Sequence, residues 1–147
     1  MREFWQNILR IVQQPGQGLL KIITANCAIF IFLMVFRLVS IFSGQASTYE
    51  VLLEKLTLSS QFANILEAPW SLLSYFFVHV ELFHLAFNML FLYWFGMIIQ
   101  DVVGNNKSVQ IYFVGGIVGA IAFYLAYNFI PYFESRGAAY LLGASAG

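Results

Sequence analysis

Long apolar runs dominate the chain and predict helices that cross a membrane. The runs at residues 22–42, 75–99 and 109–130 each match the roughly 20 residues that a spanning helix needs. A further apolar stretch covers residues 138–147. Ten helical residues reach only ~15 Å, about half of a hydrocarbon core. The pattern therefore predicts an all-α, polytopic membrane bundle that is truncated, with three full spans and the start of a fourth, in a piece of a longer protein.

The remaining residues divide into an N-terminal segment and a long connecting loop. In residues 1–21, apolar and polar side chains recur with helical spacing, which predicts an amphipathic helix at the cytoplasmic membrane surface. Pro15-Gly16 ends that helix. The loop at residues 43–71 carries too many apolar side chains to lie in water. We expect it to lie in the membrane interface or to pack on the helices.

Positive charges near the first span predict the orientation of the chain. Arg2, Arg10 and Lys21 precede this span, and cytoplasmic segments carry an excess of Lys and Arg. The N-terminus is therefore placed in the cytoplasm, and the loop at residues 43–71 is placed outside. The predicted localisation is an integral membrane protein of a bacterial-type inner or plasma membrane.

Composition excludes several other classes of protein. The chain is 61% hydrophobic and 10% charged, whereas a soluble domain has about 25% charged residues. Seven basic and seven acidic residues give a net charge of zero, without the basic excess of a nucleic-acid binder. The single cysteine, Cys27, excludes an intramolecular disulfide and a multi-cysteine metal site. No cofactor is predicted, and no feature of the sequence sets an oligomeric state.

Polar side chains at the start of the second span are the first candidate site. His84 and Asn88 are four residues apart and share one face of a helix. His79 would lie about 140° around that helix from His84, and no cysteine or carboxylate completes a zinc site. No metal site is therefore predicted. Polar groups in a membrane helix indicate either function or hydrogen bonding between helices, and both interpretations stay open on these residues alone.

Small residues allow two helices to approach closely, and the chain has two such groups. Gly115 and Gly119 form a predicted packing face in the third span. The sequence Gly-Ala-Ser-Ala-Gly at residues 143–147 permits the same interpretation. In the alternative interpretation Ser145 is a nucleophile whose small neighbours leave room for a substrate backbone.

The expected helix positions bring Ser145 close to the polar pair of the second span. If both helices enter from the outside, Asn88 and Ser145 lie at a shared depth, roughly 10–12 Å below the outer helix ends. A hydroxyl, an imidazole and an amide are the groups of an acyl-transfer site. Ser145 would attack a carbonyl, while its own N–H, His84 and Asn88 donate hydrogen bonds to the oxyanion. His84 could not donate in this way and also act as the general base.

The chain resembles the rhomboid intramembrane serine proteases. The resemblance covers residues 22–147 in topology and 69–147 in motifs. The spacing His-x4-His-x3-Asn followed by Gly-x-Ser is specific when both parts occur together. The motifs are Pro69-Trp70, His79, His84, Asn88-Met89, Gly96 and Gly143-Ala144-Ser145.

The resemblance implies a fold, an activity and a role for each matching residue. It implies a six-helix rhomboid-like core in which Ser145 is the nucleophile and His84 and Asn88 stabilise the oxyanion. His79 and Gly143 match supporting positions. The implied substrates are transmembrane segments of other proteins in the lipid bilayer.

The resemblance also implies a catalytic base, which is needed for activity. That base is a histidine on the sixth helix, which these 147 residues do not include, so we expect the chain to be inactive alone and the full-length protein to be a serine endopeptidase. The sequence also departs from the family where Ala146 replaces a glycine. The alternative function is that of a non-catalytic rhomboid-like protein that binds transmembrane segments.

Overall fold

The computed structural model describes residues 16–135 and 137–146 of the chain. The amphipathic helix predicted in the first 15 residues lies outside the described residues, as do Arg136 and Gly147. The elements are α1 (Gly18–Phe42), α2 (Ala46–Leu56), β1 (Leu58–Ser59), α3 (Phe62–Glu67), α4 (Ser71–Ser74), a 3-10 turn (Tyr75–Phe77), α5 (Leu82–Val103), α6 (Asn105–Phe129), α7 (Pro131–Glu134), β2 (Tyr140–Leu141) and a second 3-10 turn (Ala144–Ala146).

Within the described residues, three helices are long and apolar enough to cross a membrane. Helices α1, α5 and α6 have mean hydropathies of 2.3, 1.8 and 1.9. Many of their large apolar side chains face outward, including Phe32, Phe95 and Val118, each more than half exposed. Such a surface is suited to lipid rather than to water. The prediction of a helical membrane bundle is therefore confirmed.

The second span begins later in the chain than the sequence predicts. Helix α5 begins at Leu82, not near residue 75, because Tyr75 and Phe76 are fully buried inside the protein in a 3-10 turn. The Tyr75 hydroxyl donates a hydrogen bond to the Gly116 carbonyl at 2.6 Å. The apolar run is continuous in the sequence, but its first part packs in the protein core and its second part forms the helix.

The packing face of α6 is one position away from the predicted one. Gly116 and Ala120 are buried, whereas Gly115 and Gly119 are only partly buried. The ring of Phe76 lies against Gly116, where a Cβ atom would overlap it. The glycine therefore permits this close approach between α6 and the turn that precedes α5.

Residues 138–143 are not helical, in contrast to the predicted start of a fourth helix. Strand β2 pairs antiparallel with β1, with Leu58 opposite Leu141 and Ser59 opposite Tyr140. Gly143 then adopts a φ of +98°, which an L-residue rarely adopts. The backbone thus bonds to β1 instead of forming helical bonds, and among residues 138–146 the helical conformation is confined to Ala144–Ala146.

Side chains of the loop at residues 43–71 and of α6 hold this extended segment in place. The Ser60 N–H donates to the Ala139 carbonyl at 2.9 Å, and the Ala139 N–H donates to Ser60 Oγ at 3.0 Å. Asn128 Nδ2 donates to the Ser60 carbonyl at 2.9 Å. Tyr49 and Leu58 of the loop are buried. The loop therefore packs on the helices and positions the chain that leads to Ser145.

Candidate functional site

His79 connects α5 to the segment that carries Ser145. Its side chain is fully buried in the extended chain just before α5. Its Nε2 accepts hydrogen bonds from Asn88 Nδ2 at 3.0 Å and from the Ala144 N–H at 3.3 Å. Because both partners are donors, we assign His79 as the neutral tautomer with its proton on Nδ1.

The surroundings of His79 favour this neutral form. Burial, and to a lesser extent the nearby His84, lower the pKa of His79 to about 4. The rings of His79 and His84 have centroids 5.1 Å apart. At neutral pH, His79 is therefore an acceptor for Asn88 and Ala144.

The arrangement of the two histidines corrects the sequence analysis. Placing both on one regular helix predicts that they diverge by about 140°. The structure instead has His79 ahead of α5, which begins at Leu82, and the extended backbone brings the two rings together. His84 and Asn88 do lie one turn apart on α5, and both side chains are partly buried.

Gly143 passes directly over this pair of side chains. A Cβ atom built on Gly143 would lie 2.9 Å from His84 Cε1 and 3.2 Å from Asn88 Nδ2. Its N–H donates to the Tyr75 carbonyl at 2.8 Å. The absence of a side chain and the positive φ together allow the backbone to lie against the imidazole and the amide.

Ser145 is exposed and lines the same cleft as Asn88. The cleft has a volume of about 350 Å³ and lies between α5 and α6. The structure thus brings Ser145 and Asn88 to one cleft, and places His84 against Gly143, two residues before Ser145. The lining residues are Leu19, Asn88, Phe91, Leu92, Phe95, Gly96, Ile99, Ser108, Ile111, Tyr112, Ala144 and Ser145.

Sequence reasoning missed several residues that build the site. Tyr75 holds Gly143 through its carbonyl, and Ser60 and Asn128 hold the segment before it. Tyr75 gives no signal because it lies inside an apolar run. Ser60 lies in a loop and Asn128 lies at the end of a span, where polar residues are ordinary.

A family model matches the part of the chain that carries this site. Residues 66–147, more than half of the chain, match the family model described as Rhomboid domain. The chain belongs to the rhomboid family. It is also similar to "Rhomboid protease GluP" of Bacillus subtilis (strain 168), at 38% identity over 69 residues. No solved structure matches the chain.

The comparison confirms the resemblance and the membrane setting of this rhomboid. The matched range includes His79, His84, Asn88, Gly143 and Ser145. The aligned part is 47% of this chain but 13% of the GluP sequence, so the chain spans about an eighth of the length of that relative. The protein is an integral membrane protein of a family that includes proteases.

His79 should make this rhomboid less stable as the pH falls from 7 to 4. The folded pKa of about 4 lies below the ordinary value of 6.5, so the unfolded chain takes up a proton first. The stability that depends on neutral His79 is complete above pH 6.5 and is lost on the way to pH 4, a loss of about 3 kcal/mol.

Denaturant unfolding in detergent at several pH values measures this effect. His79→Gln should remove the His79 part of the pH dependence, whereas His84→Gln should retain most of it, because burial is the larger cause of the lowered pKa. The carboxylates titrate in wild type and in both variants, so their effect cancels when the free energies of unfolding are subtracted. An identical pH dependence in wild type and His79→Gln would contradict the assigned role of His79.

Proposed function

We propose that the complete protein is an intramembrane serine endopeptidase that cleaves transmembrane segments of membrane proteins. The observation that supports this most is the shared cleft of Ser145 and Asn88, with the Asn88 amide fixed by a hydrogen bond to His79. Membership of the rhomboid family points to the same reaction class.

The proposed reaction uses an attacking hydroxyl and preset hydrogen-bond donors. Ser145 Oγ attacks the substrate carbonyl carbon, and negative charge develops on the carbonyl oxygen. Asn88 Nδ2 carries two hydrogens, of which one is used by His79 and one is left for the oxyanion. His84 and the Ser145 N–H complete the proposed set of donors.

The general base is proposed to come from outside these 147 residues. His79 is unsuitable because its Nε2 already accepts two hydrogen bonds and its pKa is lowered to about 4. His84 is assigned to the oxyanion. A histidine on a later helix would take the Ser145 proton and pass it to the leaving amine, so the 147-residue chain alone should not hydrolyse peptides.

The proposed substrates follow from the setting of the cleft. Most of its lining is apolar, and its walls are two helices suited to span a bilayer. A transmembrane segment could reach Ser145 without leaving the lipid phase. We place the N-terminus in the cytoplasm of a bacterial-type cell and the loop at residues 43–71 outside. The proposed chemistry needs no cofactor.

Kinetics in proteoliposomes test this function. The complete protein should cleave single-span reporter proteins, and Asn88→Ala should lower kcat about 10²–10³-fold, since the loss of one oxyanion donor has that effect. KM should stay nearly constant, because the lost contact acts in the transition state. Asn106→Ala is the matched control, since Asn106 is exposed at the start of α6 and does not line the cleft.

The outcomes separate the two candidate functions. Equal kcat values for wild type and Asn88→Ala would contradict the assigned oxyanion role. Tight binding of the reporters without cleavage by the complete wild-type protein would support a non-catalytic protein that binds transmembrane segments.

A further inference from the structure

Arg37 is a charged side chain within the apolar surface of α1. It lies five residues before Phe42, the end of the helix, or ~7.5 Å along the axis. Its side chain is exposed, and the neighbouring Leu38 and Ile41 are more than half exposed. Arg37 therefore faces the lipid near one edge of the membrane.

The guanidinium of Arg37 has an aromatic neighbour but no counter-ion in the described part of the chain. Its Cζ lies 5.6 Å from the centroid of the Tyr49 ring, over the ring face. Within residues 16–135 and 137–146, the ion pair is between Lys55 and Glu67 and does not involve Arg37. No acceptor in these residues receives a hydrogen bond from Arg37. Glu50 is next to Tyr49 but does not pair with Arg37.

Tyr49 gives the guanidinium a defined position. The tyrosine is 4% exposed and packs with Leu33 and Val78 in one buried cluster. A cation over such a ring is held by electrostatic attraction, and its N–H groups, which lie in the guanidinium plane, have no oxygen or nitrogen acceptor in this contact. These donors remain available to an acceptor in the membrane.

We propose that Arg37, backed by Tyr49, binds the phosphate of a phospholipid headgroup, with the acyl chains lying along the exposed apolar face of α1. A guanidinium matches the oxygens of a phosphate in geometry and charge. A cation facing hydrocarbon without a partner is unfavourable, and the side chain is long enough to reach the headgroup level. The phosphate thus satisfies donors that the described residues leave free.

The proposed lipid lies in the same leaflet as the candidate active site. The end of α1 and the start of α5 are on one side of the bundle, because Tyr49 and Val78 share a buried cluster and Val78 immediately precedes His79. The lipid site is independent of proteolytic activity and requires only that α1 spans a bilayer.

Native mass spectrometry of the complete protein in detergent tests the proposal. Phosphatidylglycerol should be retained, whereas diacylglycerol with the same acyl chains should not. Arg37→Gln should weaken phosphatidylglycerol binding about tenfold or more, as expected for a lost charge-assisted hydrogen bond. Lys107→Gln, which removes an exposed cation at the other membrane edge, should leave it unchanged.

Substitutions of Tyr49 test the aromatic contact without removing the charge. Tyr49→Phe keeps the ring and should bind phosphatidylglycerol like wild type, whereas Tyr49→Leu should bind more weakly. Equal retention of diacylglycerol would overturn the proposal, as would unchanged binding by Arg37→Gln. Binding of soluble glycerol phosphate as tight as that of the lipid would show a site for free phosphate and would also overturn it.

Discussion

Replacing Gly143 by alanine in the complete protein should lower kcat for peptide cleavage about 100-fold or more, the effect of losing an oxyanion donor. The added Cβ would lie 2.9 Å from His84 Cε1 and 3.2 Å from Asn88 Nδ2, which displaces both proposed donors. The φ of +98° is unfavourable for alanine as well. Cleavage of a single-span reporter in proteoliposomes measures the change.

Gly137→Ala is the matched control for this prediction. Gly137 lies in the same extended segment and also has a positive φ, of +78°. A Cβ atom on Gly137 would meet nothing within 4 Å. The control therefore carries the backbone strain without the contact to His84 and Asn88. Equal losses of kcat in the two variants would show that strain, not displacement of the donors, is responsible.

Replacing Gly116 by alanine should lower the free energy of unfolding by about 1–3 kcal/mol, the usual range for overpacking a core. The new Cβ would overlap the ring of Phe76. That ring has little freedom to move, because the rings of Tyr75, Tyr112 and Phe113 lie 4.5, 5.6 and 5.7 Å from it between centroids. Unfolding in detergent measures the loss.

Gly96→Ala is a control for this change at a second buried helical glycine. Its Cβ would approach Leu19 Cδ1 at 2.8 Å, but this methyl group ends a flexible side chain and can turn aside. Alanine also favours a helix over glycine by about 1 kcal/mol, so Gly96→Ala should be neutral or stabilising. Phe76→Leu should reduce the penalty of Gly116→Ala in a double-mutant cycle; strictly additive losses would contradict the overlap.

The three spans could be predicted from the sequence because length and hydropathy alone define them. Their exact starts could not. Residues 75–78 are as apolar as a lipid-facing helix, yet Tyr75 and Phe76 are buried by protein. Burial in lipid and burial in a protein core select the same residue types, so the pattern does not distinguish them.

The path of residues 138–143 could not be predicted from the sequence pattern either. Small and apolar residues there are compatible with a helix. Pairing of β2 with β1 joins residues about 80 positions apart, and such long-range bonds leave no local periodicity. The positive φ of Gly143 explains why the helical turn begins only at Ala144.

The candidate site was predictable where it depends on helix geometry. His84 and Asn88 lie one turn apart on α5, as the spacing indicates. The bonds from Asn88 and Ala144 to His79 depend on an extended backbone before Leu82, which the assumption of a continuous helix excluded. Ser145 reaches the cleft that Asn88 lines through strand β2 and the second 3-10 turn. The sequence pattern instead predicts Ser145 on a helix that starts level with α5.

The reactivity of Ser145 tests the central claim most directly. The complete protein is treated with a fluorophosphonate probe, and the modified residue is located by mass spectrometry. We predict an adduct on Ser145 Oγ that is absent in Ser145→Ala and forms about 10²–10³-fold more slowly in Asn88→Ala. Absence of labelling in the wild-type protein, or labelling of another residue that persists in Ser145→Ala, would contradict the account.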